Sequence, residues 1–240
     1  KPDGDGSREN PYDLATAFTG RSVQPGDTVL LKGGQYAGAI INSEKGLPKR
    51  LPFEPKMKGS ADKPIIVTSA PGEWAHLNGF LLLNGCNDIR FERLEIGDLN
   101  WDPTQTKFEH GAGAVWGLTC VGVKVINCNL FGTPQGTGLW RPALGFELYG
   151  NLIHDHGIES TTGKPGGRGE GHASYTQNIE GTKRLEHNIS YRNYGWGIDL
   201  YTQQGEVSGF DIIENIGYIA SWLKPGQVGF NFGLTGWKPA

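Results

Sequence analysis

Histidine, tyrosine and acidic side chains crowd one short stretch of this 240-residue chain. Glu170 and His172 stand just ahead of Tyr175-Thr176-Gln177-Asn178, and Asp199 just ahead of Tyr201-Thr202-Gln203-Gln204. An imidazole and a phenol are groups that accept or donate protons in catalysis. Glu170 and Asp199 are a candidate carboxylate pair for hydrolysis of a glycosidic bond. Their separation would decide the outcome, about 5–5.5 Å for retention and about 6.5–9.5 Å for inversion. The same two could ligate calcium, which takes oxygen ligands, although no spacing here is diagnostic of a metal. Three cations are candidates to meet an anionic group: Arg141, and Lys164 and Arg168 in the glycine-rich run 163–169. Trp116, Trp140, Tyr175, Trp196 and Tyr201 offer flat apolar faces suited to stacking on sugar rings, with Gln177 as a polar neighbour. Some of these aromatics are expected to point inward and pack.

The elements that must position these residues are read from a repeat. Leu185-Glu186-His187-Asn188-Ile189-Ser190-Tyr191 returns as Ile212-Ile213-Glu214-Asn215-Ile216-Gly217-Tyr218, 27 residues on, and Tyr175 returns as Tyr201, 26 on. Leu94, Cys128, Asn151, Asn188 and Asn215 form one column. Three residues earlier stand Phe91, Val125, Leu148, Leu185 and Ile212, and five earlier Ile89, Val123, Phe146, Lys183 and Phe210. All but Lys183 of those ten are apolar, two residues apart, which is one face of a short strand repeated in five units. The spacings are 34, 23, 37 and 27, so insertions are expected near 98–112 and 157–170. Such units bury their apolar faces against one another in a solenoid. Short strands joined by glycine and asparagine turns predict an all-β, single-stranded parallel β-helix spanning 1–240 as one domain. Stacked asparagine amides can hydrogen-bond up a column at the strand spacing. A β-propeller or sandwich has similar turns, but its antiparallel strands would not stack equivalent residues at every unit. Asn188-Ile189-Ser190 fits a glycosylation acceptor but falls in the stacked column.

Residues 1–40 read as an N-terminal cap, with a short helix over 10–18, Asn10 as its N-cap and Pro11 at the first helical position. Residues 43–62 read as a surface loop. Cys86 and Cys120 fall in one column on adjacent coils, where a reduced, packed pair is expected because parallel side-chain directions suit a disulfide poorly. Cys128 reads as a small buried filler, and His154-Asp155-His156 as a turn rather than a metal site. The net charge of −3 shows no basic run, which speaks against nucleic acid. No run of 18 apolar residues is present to span a membrane. A chain opening at Lys1 without an apolar leader reads as a mature secreted form or a trimmed one. It stops near Trp237 without a closing cap, which leaves room for further coils or another chain at that end.

Three features resemble a known superfamily. They are Pro25-Gly26-Asp27-Thr28-Val29 with Gly33-Gly34-Gln35-Tyr36, Lys63-Pro64-Ile65-Ile66-Val67 with Pro71-Gly72, and the coil with its asparagine column. Together they are similar to right-handed parallel β-helix proteins of the pectate-lyase-like superfamily, and more closely to secreted bacterial polysaccharide lyases such as chondroitinase B and alginate lyases. The resemblance implies a right-handed helix, an acidic polysaccharide as partner, β-elimination in an open groove and an extracellular or periplasmic location. It assigns no metal cofactor. Lyase chemistry needs a cation at the uronate carboxylate, a base and an acid, for which Arg141, His172 and Tyr175 are the candidates. The superfamily also holds hydrolases and non-catalytic glycan-binding modules, so fold alone does not select the reaction.

Overall fold

The structure is a computed structural model that describes residues 3–42, 48–103, 113–158, 171–202, 207–218 and 232–236. Three parallel sheets run along a right-handed solenoid. The first holds Thr28–Leu31, Ile65–Ser69, Ile89–Glu92, Lys124–Ile126, Glu147–Tyr149, Lys183–Glu186 and Phe210–Ile213. The second holds Leu81–Asn87, Val115–Val121, Thr137–Leu139, Ser174–Thr176, Ile198–Thr202 and Phe232–Gly236, and Ala143–Leu144 pairs with the end of Val115–Val121. The third holds Gly34–Ala37, Ala75–Asn78, Leu94–Gly97, Asn129–Phe131, Leu152–His154, Ile189–Tyr191 and Ile216–Tyr218. From Leu81 onward each coil visits the second, first and third sheets in turn. Residues 98–103 and 157–158 therefore leave from the same corner, after the third sheet and before the second.

The apolar column expected from the spacing is the register of the first sheet. Phe91, Val125, Leu148, Leu185 and Ile212 are successive partners, and the column extends back through Val67 to Val29. Phe91, Val125, Leu148 and Leu185 are buried. Parallel strands in register bring like side chains about 4.8 Å apart, so a period kept in sequence becomes a continuous core in space.

Between the first and third sheets the chain turns on a single left-handed residue. Arg93, Asn127, Gly150, His187 and Glu214 have φ of 51°, 51°, 66°, 56° and 49°. The residue after each forms the stacked column. Backbone N–H groups of Cys128, Asn151 and Asn188 donate to Oδ1 of Asn151, Asn188 and Asn215, at 2.9, 3.0 and 3.0 Å. Nδ2 of Asn151 and of Asn188 donates up the same column, each at 2.9 Å. Inside the solenoid this leaves few polar groups unpaired, which is why asparagine is used rather than an apolar residue. Cys128 takes the asparagine place one coil earlier and donates weakly to the Phe91 carbonyl at 3.5 Å.

Cys86 and Cys120 are register partners and are buried free thiols. In His154-Asp155-His156, Asp155 is the turn residue with φ of 56°. His154 stacks on Tyr191, and His156 is fully buried, with burial holding its pKa down to about 3. Among the described residues no group of three His, Cys, Asp or Glu side chains could hold a metal ion.

The N-terminal expectation needs correction. The helix is Leu14–Phe18 and its N-cap is Asp13, whose carboxylate accepts from Thr16 N at 2.7 Å. Asn10 and Pro11 lie ahead of it. A carboxylate immediately before Leu14, the first of the buried residues Leu14, Ala17 and Phe18, outcompetes an asparagine too far upstream to reach the first free N–H groups. The cap is also shorter than 1–40, because Thr28–Leu31 and Gly34–Ala37 already belong to the sheets. Residues 48–62 are not wholly a surface loop. Pro48–Arg50 pairs antiparallel with Ile40–Asn42, Phe53 and Lys58 bridge to Leu81 and Asn87, and Met57 is buried. A cavity of about 620 Å³ lies between the cap and the first coil. Its polar side chains serve the chain itself: Asp13 caps the helix, Asp27 accepts from Gln24 N, and Lys32 donates to the Arg8 carbonyl. Among the described residues no helix is long and apolar enough to cross a membrane.

Candidate functional site

Alternation along the second sheet decides which side chains leave the core. Val115, Gly117, Ser174, Thr176, Ile198 and Leu200 point inward and are buried, so Trp116, Tyr175, Asp199 and Tyr201 point outward. In register the outward row reads Trp116, Gly138, Tyr175, Asp199. The in-register partner of Tyr175 is thus Asp199. Tyr201 stands two residues further along that strand, and its ring still reaches Tyr175, at 5.4 Å between centroids. This corrects the pairing of Tyr175 with Tyr201 that their matching phrases suggest.

The aromatic rings form one connected wall. Trp116 meets Trp140 edge-on at 5.5 Å, and Trp140 meets Tyr175 edge-on at 5.8 Å. His172 stacks on Tyr175 at 5.7 Å and contacts Trp196 at 5.6 Å. From the Trp116 strand to the Tyr201 strand is three coil steps, about 14 Å. Trp140 lies just past Leu139 rather than on the strand, and Trp196 is buried, at 8% exposure. Trp116, Trp140, Tyr175 and Tyr201 remain half-exposed.

Gly138 was not singled out by sequence reasoning, yet it shapes this wall. The Trp116 indole occupies the space where a Cβ at 138 would stand. Gly138→Ala is expected to displace that ring and to cost about 1–3 kcal/mol, an overpacking effect. Circular dichroism of the coupled Trp116–Trp140 pair and a urea titration would check this.

His172 and Asp199 face each other. His172 Nδ1 accepts from the Trp196 backbone N–H at 2.9 Å, and Nε2 lies 3.6 Å from Asp199 Oδ2. The Trp196 contact fixes the neutral tautomer with its proton on Nε2, aimed at the carboxylate. A ring so held donates toward Asp199 and is badly placed to accept a proton itself. The loop leaves room for this: a Cβ at Gly195 would lie 2.6 Å from His172 Nδ1. Asp199 is buried, at 4% exposure, although it belongs to the outward row. Burial, then Tyr201 and Asp199, push the Tyr175 phenol up to about 12, so it stays protonated and can serve as a hydrogen-bond donor or acid. Gln177 is buried beside it, and among the described residues its Nε2 has no hydrogen-bond partner.

Arg141 is not on the strand face. It lies exposed in the turn after Thr137–Leu139, which the Ala143 N–H closes onto the Trp140 carbonyl. The strand ends at Leu139, whose side chain is buried, and the chain returns to the core at Ala143. Lys164, Arg168 and Glu170 lie outside the described residues, so the separation of Glu170 from Asp199 is not among the described distances. Phe230 likewise lies outside them, and Phe232 opens the last strand of the second sheet. The structure therefore gathers His172, Tyr175, Asp199, Tyr201, Trp116, Trp140, Gln177 and Trp196 into one place and leaves Arg141 at its edge.

No protein-family profile and no curated protein sequence matches the chain. Solved structures do match by shape. A rhamnogalacturonan lyase superposes with a TM-score of 0.54 at 15% identity, over 99% of this chain and 60% of that one. A pectate lyase gives 0.42 at 13% identity, over 91% and 76%, and an alginate lyase from a Paenibacillus species 0.46 at 14%, over 85% and 74%. The chain spans 60% of the length of the rhamnogalacturonan lyase. At these identities the likeness is one of fold, the right-handed parallel β-helix.

Proposed function

We propose that this chain is a secreted, carbohydrate-active β-helix protein that lays an acidic polysaccharide along the outer face of its second sheet and cleaves it by β-elimination. The observation that carries this reading is the wall of half-exposed rings, Trp116, Trp140, Tyr175 and Tyr201, ending at a protonated phenol beside a carboxylate. Ring faces and edges spaced along the solenoid suit the apolar C–H faces of successive sugars. Asp199 takes the proton next to the uronate carboxylate, and the electron pair left behind forms the double bond as the glycosidic C–O bond breaks. Tyr175 gives its proton to the departing oxygen. Tyr175 and Asp199 are neighbours on adjacent coils, so the proton taken by one can return to the other. His172 is a positioning residue whose Nε2–H stands beside the Asp199 carboxylate, at 3.6 Å. Carboxylates do act as bases toward carbon acids when held in a partly buried site.

Asp199 would repel a uronate carboxylate, so a cation must stand between them. Arg141 at the edge, Lys164 and Arg168 of the inserted stretch, or calcium are the candidates. The test is a panel of alginate, pectate and glycosaminoglycans, with and without calcium, followed by ultraviolet absorbance, reducing ends and binding. Absorbance from an unsaturated product supports the proposal. Reducing ends without absorbance would replace it with a hydrolase, and binding without turnover with a glycan-binding module.

A further inference from the structure

Lys183 stands where the inward column calls for an apolar residue, between Phe146 and Phe210, and is completely buried. Its ammonium does not reach solvent. Nζ donates to the Trp140 carbonyl at 2.7 Å, to the Leu139 carbonyl at 3.4 Å and to the Gln177 carbonyl. Leu139 ends one strand of the second sheet and Trp140 follows it, and Gln177 directly follows the strand Ser174–Thr176 of the next coil. The Gln177 N–H already binds the Leu139 carbonyl at 2.8 Å and the Ala143 N–H the Trp140 carbonyl at 3.0 Å. An ammonium has three protons for three carbonyls, whereas an amine has two and turns a lone pair toward the third.

We propose that Lys183 is a positioning residue for the groove, acting from inside the solenoid: its ammonium ties the ends of two adjacent strands together and so sets the Trp140 ring between Trp116 and Tyr175. This deepens the groove assigned above, but its test needs no substrate. Burial lowers the Lys183 pKa to about 7, so the tie is complete below that pH and loses one donor above it. The groups facing Lys183 are few. Phe146 and Phe210 flank it on the first sheet, and on the second sheet the Cys120 thiol faces it. The hydrogen bond between the two thiols raises the Cys120 pKa and lowers that of Cys86, so the Cys86 thiol is the other group on this side that loses its proton more readily as the pH rises, and the lysine 13Cε signal separates the two. The ionisable groups of the aromatic wall, His172, Tyr175, Asp199 and Tyr201, lie on the outer face of the second sheet, away from Lys183.

The experiment follows the Trp116–Trp140 circular dichroism couplet from pH 5.5 to 9 in the ligand-free protein and, in parallel, the side-chain 13Cε shifts of 13C-lysine-labelled protein. The expected result is one lysine titrating near 7 in step with a loss of the couplet, while Lys183→Met shows the high-pH couplet at every pH. A His172→Gln control should keep the titration. The proposal is overturned if every lysine titrates in the ordinary range, if the couplet does not follow the titrating lysine, or if Lys183→Met retains the pH dependence. Should Lys183→Met not fold, the labelled wild-type protein alone decides. Inactivity on every polysaccharide would end the lyase reading and leave this result standing.

Discussion

Tyr175→Phe is expected to lower turnover of the uronate polymer by about 10²–10⁴-fold, the range for removing a general acid. Binding should change little, because the phenyl ring keeps its contacts with Trp140, His172 and Tyr201. The hydroxyl is therefore read in kcat and the ring in KM. The direction of the pKa shift fixes a second feature. An acid whose pKa is raised stays competent until the pH climbs through the raised value, here about 12. Tyr175 thus contributes no alkaline fall in rate below that pH, and any fall near neutrality belongs to another group. A Tyr175→Phe protein that keeps full kcat would remove the phenol from the chemistry. The ring would then be a platform only.

Asn188→Leu is expected to be the most damaging single change to stability, by about 3–5 kcal/mol in urea denaturation. Size is not the reason, since leucine has nearly the same reach. Asn188 Oδ1 accepts from both the backbone N–H and the side-chain Nδ2 of Asn151, and its Nδ2 donates to the Leu148 carbonyl at 3.0 Å. Its Nδ2 also donates to Asn215 Oδ1, so leucine breaks four buried hydrogen bonds to the two neighbouring coils. Asn151 Nδ2 keeps the Val125 carbonyl and Asn215 Oδ1 keeps the backbone N–H of residue 188, and each group left without a partner costs about 1–3 kcal/mol. In a solenoid each coil is supported only by its neighbours, so the loss should appear as a broadened transition. A cost below about 1 kcal/mol would mean that water enters the column and pairs these groups.

The two predictions draw on parts of the structure that were unequally legible in the sequence. The first-sheet column could be read directly, because parallel stacking forces one register and Phe91, Val125, Leu148, Leu185 and Ile212 keep it. The asparagine column could be read for the same reason. The second sheet was harder. Tyr175 and Tyr201 share a phrase, yet Tyr175 pairs with Asp199, because the corner at 192–197 is shorter than the phrase implies. Corners absorb insertions and deletions, so similarity there misleads while strand register does not. Arg141 follows Trp140 directly, but the strand ends two residues before it, at a turn marked in the sequence only by Pro142. Lys183 appeared in the sequence only as the exception in an apolar column. Its partners are backbone carbonyls of residues 6, 43 and 44 positions away, which carry no sequence signal. The gathering of Tyr175, Asp199 and Tyr201 was legible because alternation sends them to one face beside an insertion, whereas His172 lies ahead of its strand and reaches them from the corner.

The central claim, cleavage by elimination in this groove, is tested most directly by digesting the susceptible uronate polymer in heavy-oxygen water and weighing the products. Elimination breaks the bond without adding water, so the expected products carry an unsaturated end and no heavy oxygen at the newly formed reducing end beyond slow exchange. Heavy oxygen fixed in every product, with no unsaturation, would contradict the claim and assign the groove to hydrolysis.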